Sequence, residues 1–174
     1  MAIAGIPEVI NDFNLYNTGN RLIGTTGEVS LPDFEAITAT VSGNGILGEF
    51  EAPVTGHFSG MELEVPFRCI DPDYFTLVDT RKSTELTLRG AIQVVDPSTH
   101  DASEIGMRVV ARGRCKKIAP GTVKQREAMD SSISLDLTFY MVEMDGKERI
   151  RLDKLNGEFK INGEDMLASI HKLT

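Results

Sequence analysis

Three histidines, two cysteines and one compact acidic turn are the groups through which this chain could do metal or nucleophilic chemistry. His57 lies in a Gly-rich stretch, His100 in the turn DPSTHD, and His171 close to the C-terminal end. No HExxH, no histidine pair at i,i+4 and no Cys/His cluster with zinc spacing accompanies them, so the sequence sets the three in unrelated surface or interface settings. Cys69 and Cys115 lie far apart, without CxxC spacing. They read as free buried thiols of a chain made in a reducing compartment, with a bridge between them left open. The acids of DPSTHD could face an oxygen-ligated cation, but the EF-hand spacing is absent and a plain turn accounts for them. No GxSxG elbow is present, and GNGILG lacks the Lys-Ser/Thr ending of a phosphate loop. The sequence therefore predicts no enzyme, no bound cofactor and no metal.

Charge supplies the sharper pattern. Over 106–118 the even positions read Arg108, Val110, Arg112, Arg114 and Lys116, while the odd positions are Met107, Val109, Ala111, Gly113 and Cys115. One reading of that basic face is a strip for anions or nucleic acid. The other, which few interleaved aromatics favour, is a strand pairing with acids across a sheet or a subunit contact. A net charge of −8 over 174 residues also argues against a general nucleic-acid binder, whose affinity comes from neutralising phosphates.

The elements that must carry these residues are strands. Segment 61–69 alternates, with Met61, Leu63, Val65 and Phe67 on one face and Glu62, Glu64 and Arg68 on the other. Segment 84–95 turns Leu86, Leu88, Ile92 and Val94 inward, and Glu85, Thr87, Arg89 and Gln93 outward. Segments 20–31 and 34–43 are β-branched and alternate around a Pro32-Asp33 turn. Residues 131–144 place Ile133, Leu135, Leu137, Phe139 and Met141 on one side, then Asp145-Gly146 turns the chain into a return strand. Asn162-Gly163 leads into an expected terminal helix over 163–172, and Asp71-Pro72 caps a second short helix, DYFTLVD. A polar loop fills 119–130. The sum predicts a mainly β fold, an antiparallel β-barrel or sandwich with two short α-helices, in a single domain over 1–174.

The stretch 42–60 stands apart. It has five glycines, yet it also carries Ile46, Leu47, Phe50, Val54 and Phe58. A solvated loop has little use for so many large apolar side chains, which points to burial against a partner subunit.

At 41% hydrophobic and 25% charged residues the chain is expected to be globular. The start MAIAGIPEVI is short, lacks a basic region and is interrupted by Pro7 and Glu8, so no secretory signal is expected. No apolar run approaches the ~18 residues of a membrane span, and no membrane anchor is expected. Synthesis and folding are placed in the cytoplasm.

Over about residues 11–172 the chain resembles the major tail tube proteins of contractile phage tails and of R-type bacteriocins. The opening DFNLYNTGNRLIGTTGEVSLPDFEAITATVSGNGILGEFEAPV carries Asn-Leu-Tyr, a turn, a strand ending in Leu-Pro and a strand into a Gly-rich insert. The ending LTFYMVEMDGKERIRLDKLNGEFKINGEDMLASI carries an aromatic strand, an acid-Gly turn, the Asp-x-x-Asn-Gly step and Asn-Gly before the helix.

The resemblance implies hexameric rings stacked into a hollow tube for DNA or ion passage, with each subunit giving strands to one continuous inner β-barrel. The 42–60 insert would reach a neighbouring subunit or ring. Implied partners are copies of the chain, a tail sheath protein, a tape measure protein, and baseplate and tail terminator proteins. DNA would be transiting cargo only, and the particle a virion tail or a bacteriocin made in a bacterial cytoplasm.

On this reading Ile46, Leu47, Phe50, Val54, Phe58, Arg108, Arg112 and Arg114 are candidate inter-subunit contacts. Glu62, Glu64 and Glu85 are candidates for an acidic bore that repels phosphates. The alternatives are the tube of a type VI or other contractile injection system and, from a different class, a lipocalin-like small-ligand β-barrel.

Overall fold

The computed structural model describes residues 5–174; the first four residues, on which the reading of the N-terminal segment partly rests, lie outside the described residues. The chain is built from antiparallel strands with two short helices, as the alternating patterns require. In order they are β1 (Ile6–Asn17), β2 (Asn20–Arg21), β3 (Ala36–Ser42), β4 (Glu49–Phe58), β5 (Glu62–Phe67), α1 (Pro72–Thr76), β6 (Thr84–Val95), β7 (Ala102–Ala119), β8 (Ser131–Met144), β9 (Lys147–Asp153), β10 (Glu158–Ile161), β11 (Glu164–Asp165) and α2 (Ala168–His171). The main sheet runs β11-β10-β9-β8-β7-β6-β1-β2, with β5 branching off β8. β3 and β4 form a separate two-stranded sheet. The named strands run as an open path, and the Thr25↔Phe67 bridge links the segment after β2 back to β5.

β8 organises this sheet. One edge follows β7 along its length, while the other pairs first with β5 through Ser131–Asp136 and then with β9 from Phe139 onward. The change of partner takes place around Thr138. Gly113 faces Leu137 and Arg112 faces Phe139, which leaves Thr138 bulged. An extra residue reverses the side-chain alternation beyond it. Ile133, Leu135 and Leu137 therefore enter the main core, but Tyr140 follows them there. Phe139 and Met141, expected on the same side, emerge on the opposite face beside Val110.

The core lies against the other face of the sheet. Met61 just before β5, Leu63, Val65 and Phe67 of β5, Leu86 and Leu88 of β6, and Leu15 of β1 meet Tyr74 and Leu77 from α1 and its exit. Asp71 caps α1 as expected, its Oδ1 accepting the Tyr74 N–H at 2.8 Å. A chain of edge-on aromatic contacts, Tyr140–Phe34–Phe58–Phe159, with centroids 5.0–5.8 Å apart, ties the base of the β3–β4 hairpin to the sheet.

Four expectations need correction. Segment 20–31 is not a strand: only Asn20–Arg21 pair, and the backbone beyond docks by Thr25↔Phe67 and by the Thr26 N–H on the Pro66 carbonyl. Segment 42–60 is the turn and second strand of a hairpin. The terminal helix shrinks to Ala168–His171, because residues after Asn162-Gly163 first fold back as β11. β1, which the sequence reading passed over, pairs with β6 over Leu86–Val95. Cys69 is exposed, Cys115 is buried, and the two are unbridged. Among the described residues no helix is long and apolar enough to cross a membrane.

Candidate functional site

The residues singled out by sequence fall on two surfaces. The first is the β3–β4 arm. Its strands pair through Thr38↔Pro53, Thr40↔Glu51 and Ser42↔Glu49, and Gly45 and Gly48 turn the tip at positive φ. Neither strand joins the main sheet, so the arm shields little of its own apolar surface. Ile46, Phe50 and Val54 are exposed, as is Ile37, and Leu47 is wholly so. Phe58 differs: it stacks on Phe34 and Phe159 and belongs to the chain's own core. Gly56, at φ +77°, lets the arm's base pass close to Leu167, whose Cδ2 would stand 2.5 Å from an added Cβ.

The second surface is the sheet face opposite the core. It gathers Arg108, Arg112, Arg114 and Lys116 of β7 together with Glu62, Glu64 and Glu85, which the sequence reading had assigned to separate roles. β7 lies between β6 and β8, and β5 lies beyond β8, so the acids and bases alternate across the sheet. Arg112 pairs with Glu85, Arg108 with Glu143 at 2.8 Å, and Lys116 with Glu62 at 2.8 Å. The hydrogen bond from Lys116 holds the Glu62 carboxyl below the ordinary carboxylate range and raises the Lys116 ammonium. The cross-strand reading of the basic stripe is thus realised within one chain.

Phe139 sits at the centre of this face. The bulge at Thr138 turns it outward, where Arg112 and Arg151 lie over its ring at 4.7 and 5.5 Å. Arg151 in turn pairs with Glu148 and Glu158. Val110, Phe139 and Met141 form a small buried apolar cluster roofed by ion pairs. The sequence reading missed Arg151 and the outward Phe139. Both were visible as residues, but their shared face depends on the bulge.

The histidines do not all stay apart. His57 and His171 line one shallow cavity of about 380 Å³ with Asp153, Lys154 and Glu158. His100 occupies the β6–β7 turn at φ 62°. Asp96 accepts the Ser98 N–H in that turn, at 2.7 Å. Among the described residues no group of three or more His, Cys, Asp or Glu side chains is placed to hold a metal ion.

The model of the family described as phage tail tube protein FII matches residues 7–173. The chain belongs to that family. The tail tube protein of Escherichia phage P2 is 43% identical over 63 residues, which is 36% of this chain and 37% of that protein. The major tail tube protein of Serratia phage KSP20 is 25% identical over 168 residues, covering 92% of this chain and 91% of that one.

Two cryo-EM structures of an extracellular contractile injection system, PVC, share the fold at a TM-score of 0.52. One chain comes from its sheath/tube terminator in the extended state (11% identity, 79% of this chain, 96% of that one). The other comes from its extended sheath–tube complex (10% identity, 82% and 93%). The phage tail tube family is a structural one.

Proposed function

We propose that this tail tube subunit assembles with copies of itself into stacked hexameric rings, the hollow inner tube of a contractile tail. The match of the tail tube family model to nearly the whole chain carries the reading. On it, residues 1–174 act as one structural unit without catalysis, in a virion tail or bacteriocin particle. Sheath and terminator are its outer and end partners, baseplate and tape measure proteins its further ones, and DNA is cargo in transit.

Two physical features support assembly. Beyond Tyr16 and Asn17, which pair with β2, β1 pairs only with β6 among the named strands, and pairing with the next subunit would satisfy the backbone groups along its other edge. A barrel shared by several chains has many strands and hence an aqueous bore. A two-stranded hairpin standing apart from the sheet is also marginal in water, so a neighbour that covers it stabilises it.

The ion-paired face is the surface assigned to the bore. Glu62 and Glu85 are tied to Lys116 and Arg112, while Glu64 is in none of the ion pairs among the described residues. The wall is therefore mixed in charge rather than uniformly acidic. Arg108 and Arg112 lie on it, bound to acids of their own chain, and Arg114 lies beside them opposite Asp136. That leaves the arm as the main contact between subunits.

The likeness in fold to chains from the sheath/tube terminator and the sheath–tube complex of an injection system supports a second reading, a tube that carries something other than a genome. A sealed-barrel ligand binder is disfavoured, since the cavity of about 650 Å³ beside β1 is a cleft open to the surface. Electron microscopy of the purified protein with size-exclusion chromatography tests the proposal. Rings and tubes of uniform diameter are expected, and a strictly monomeric species at every concentration and salt would contradict it.

A further inference from the structure

The exposed apolar arm of a tube subunit calls for a receiving surface, and the fold offers a matching one. Between β1 and residues 21–31 lies the cleft of about 650 Å³, with Leu88 and Met107 at its floor and Ile10, Ile23 and Leu31 on its rim. All three rim residues are exposed, Ile23 at 71%. Apolar groups gathered around a concavity and left in water mark a docking site more often than a solvated surface.

The arm has the complementary features. Ile46 and Leu47 form its tip, with Phe50 and Val54 behind them. Its strand β3, AITATVS, contains no Pro, Gly or charged residue. Natural edge strands are normally guarded by such residues, so an unguarded one is built to be covered. Charge adds a local preference. Residues 36–58 hold Glu49 and Glu51 and no Lys or Arg, while Arg21 lies on the cleft and in none of the ion pairs among the described residues. Asp12 and Glu28 share that rim, so the arm's acids are best accommodated where Arg21 stands.

We infer that the arm of one copy seats in the β1/21–31 cleft of a second copy, Ile46 and Leu47 against the apolar rim and Glu49 or Glu51 against Arg21. This rests on the tube reading, and supplies the receiving surface that the reading lacks. A tip on one side and a cleft on the other make a head-to-tail contact that can repeat without limit, as a tube requires.

Site-specific cross-linking tests it. A Cys69→Ser background removes the exposed thiol, and Leu47→Cys with Ile23→Cys supplies one thiol on each surface. Tubes treated with a short bismaleimide should yield a ladder of covalent multimers at least tenfold above either single-cysteine variant. Tubes without a ladder, or a link confined to single chains, would overturn the docking while leaving the tube reading intact. Wild-type protein that never assembles would defeat the tube reading itself, and this contact with it.

Charge reversal keeps the test open should the cysteine variant fail to assemble. Arg21→Glu should cut tube yield about tenfold, and Glu49→Arg with Glu51→Arg in the same chain should restore it. An unaffected single variant, or no restoration, would overturn the pairing.

Discussion

Gly113→Ala tests the bulge that sets the two faces of the sheet. Gly113 lies where β7 and β8 slip by one residue, and a Cβ there would fall on the Asp136 carbonyl oxygen, 2.8 Å from its carbon and 3.1 Å from the Leu137 Cα. All three are backbone atoms, so no rotamer change relieves the overlap. Restoring a carbon–carbon spacing of about 3.5–4.0 Å requires the two strands to part by roughly 1 Å.

Inserting a methylene into a packed core costs about 1–3 kcal/mol, and a clash with backbone belongs at the upper end, about 3 kcal/mol. For a chain of this size that corresponds to a Tm lowered by roughly 6–12 °C. Thermal and urea unfolding of the dissociated subunit would read it. Gly106→Ala is the control, on the same strand with nothing within 4 Å of the new Cβ; it should be neutral or stabilise by about 0.4–1 kcal/mol. A Gly113→Ala loss below about 1 kcal/mol, or equal losses in both variants, would refute the close approach of Gly113 to the β8 backbone.

Three other outcomes are expected. Asp71→Ala removes the acceptor for the Tyr74 N–H and should cost about 1 kcal/mol in urea unfolding. Burial pushes the Tyr140 phenol up to about 12, so its contribution is fully present below its ordinary value of 10 and lost as pH rises from there towards 12. Urea midpoints should fall over that window in the wild type and less in Tyr140→Phe. Deleting residues 44–56 should leave a folded protein by far-ultraviolet circular dichroism that forms no tubes, because the aromatic anchor at Phe58 is retained while the exposed tip is lost.

Local pattern made much of the fold legible in the sequence. The β8–β9 hairpin follows from alternation broken by Asp145-Gly146, whose two residues adopt the positive φ that such a turn requires. β5 reads off Met61, Leu63, Val65 and Phe67, all buried, and α1 reads off Asp71-Pro72. What stayed hidden depended on partners. The alternation of β8 reverses at Thr138 because that is where β5 ends and β9 begins, and nothing in SSISLDLTFYMVEM marks the position.

β1 escaped notice because two register shifts, around Pro7 and Ile10, disturb its period. Segment 20–31 has the composition of a strand but spends its polar groups on Pro66 and Phe67, leaving Ile23 and Leu31 outward. Of the candidate site, the apolar content of the arm was plain from Ile46, Leu47, Phe50 and Val54. That Glu85 and Arg112 share one face required the β6–β7 register, which pairs them directly.

A cryo-EM reconstruction of tubes grown from the purified chain tests the central claim most directly. It should show the main sheet continued across subunit boundaries, the arm of each copy held by another, and the face bearing Glu62, Glu85 and Arg112 turned to the bore. Subunits whose sheets stand separate, with arms free in solvent, would contradict it.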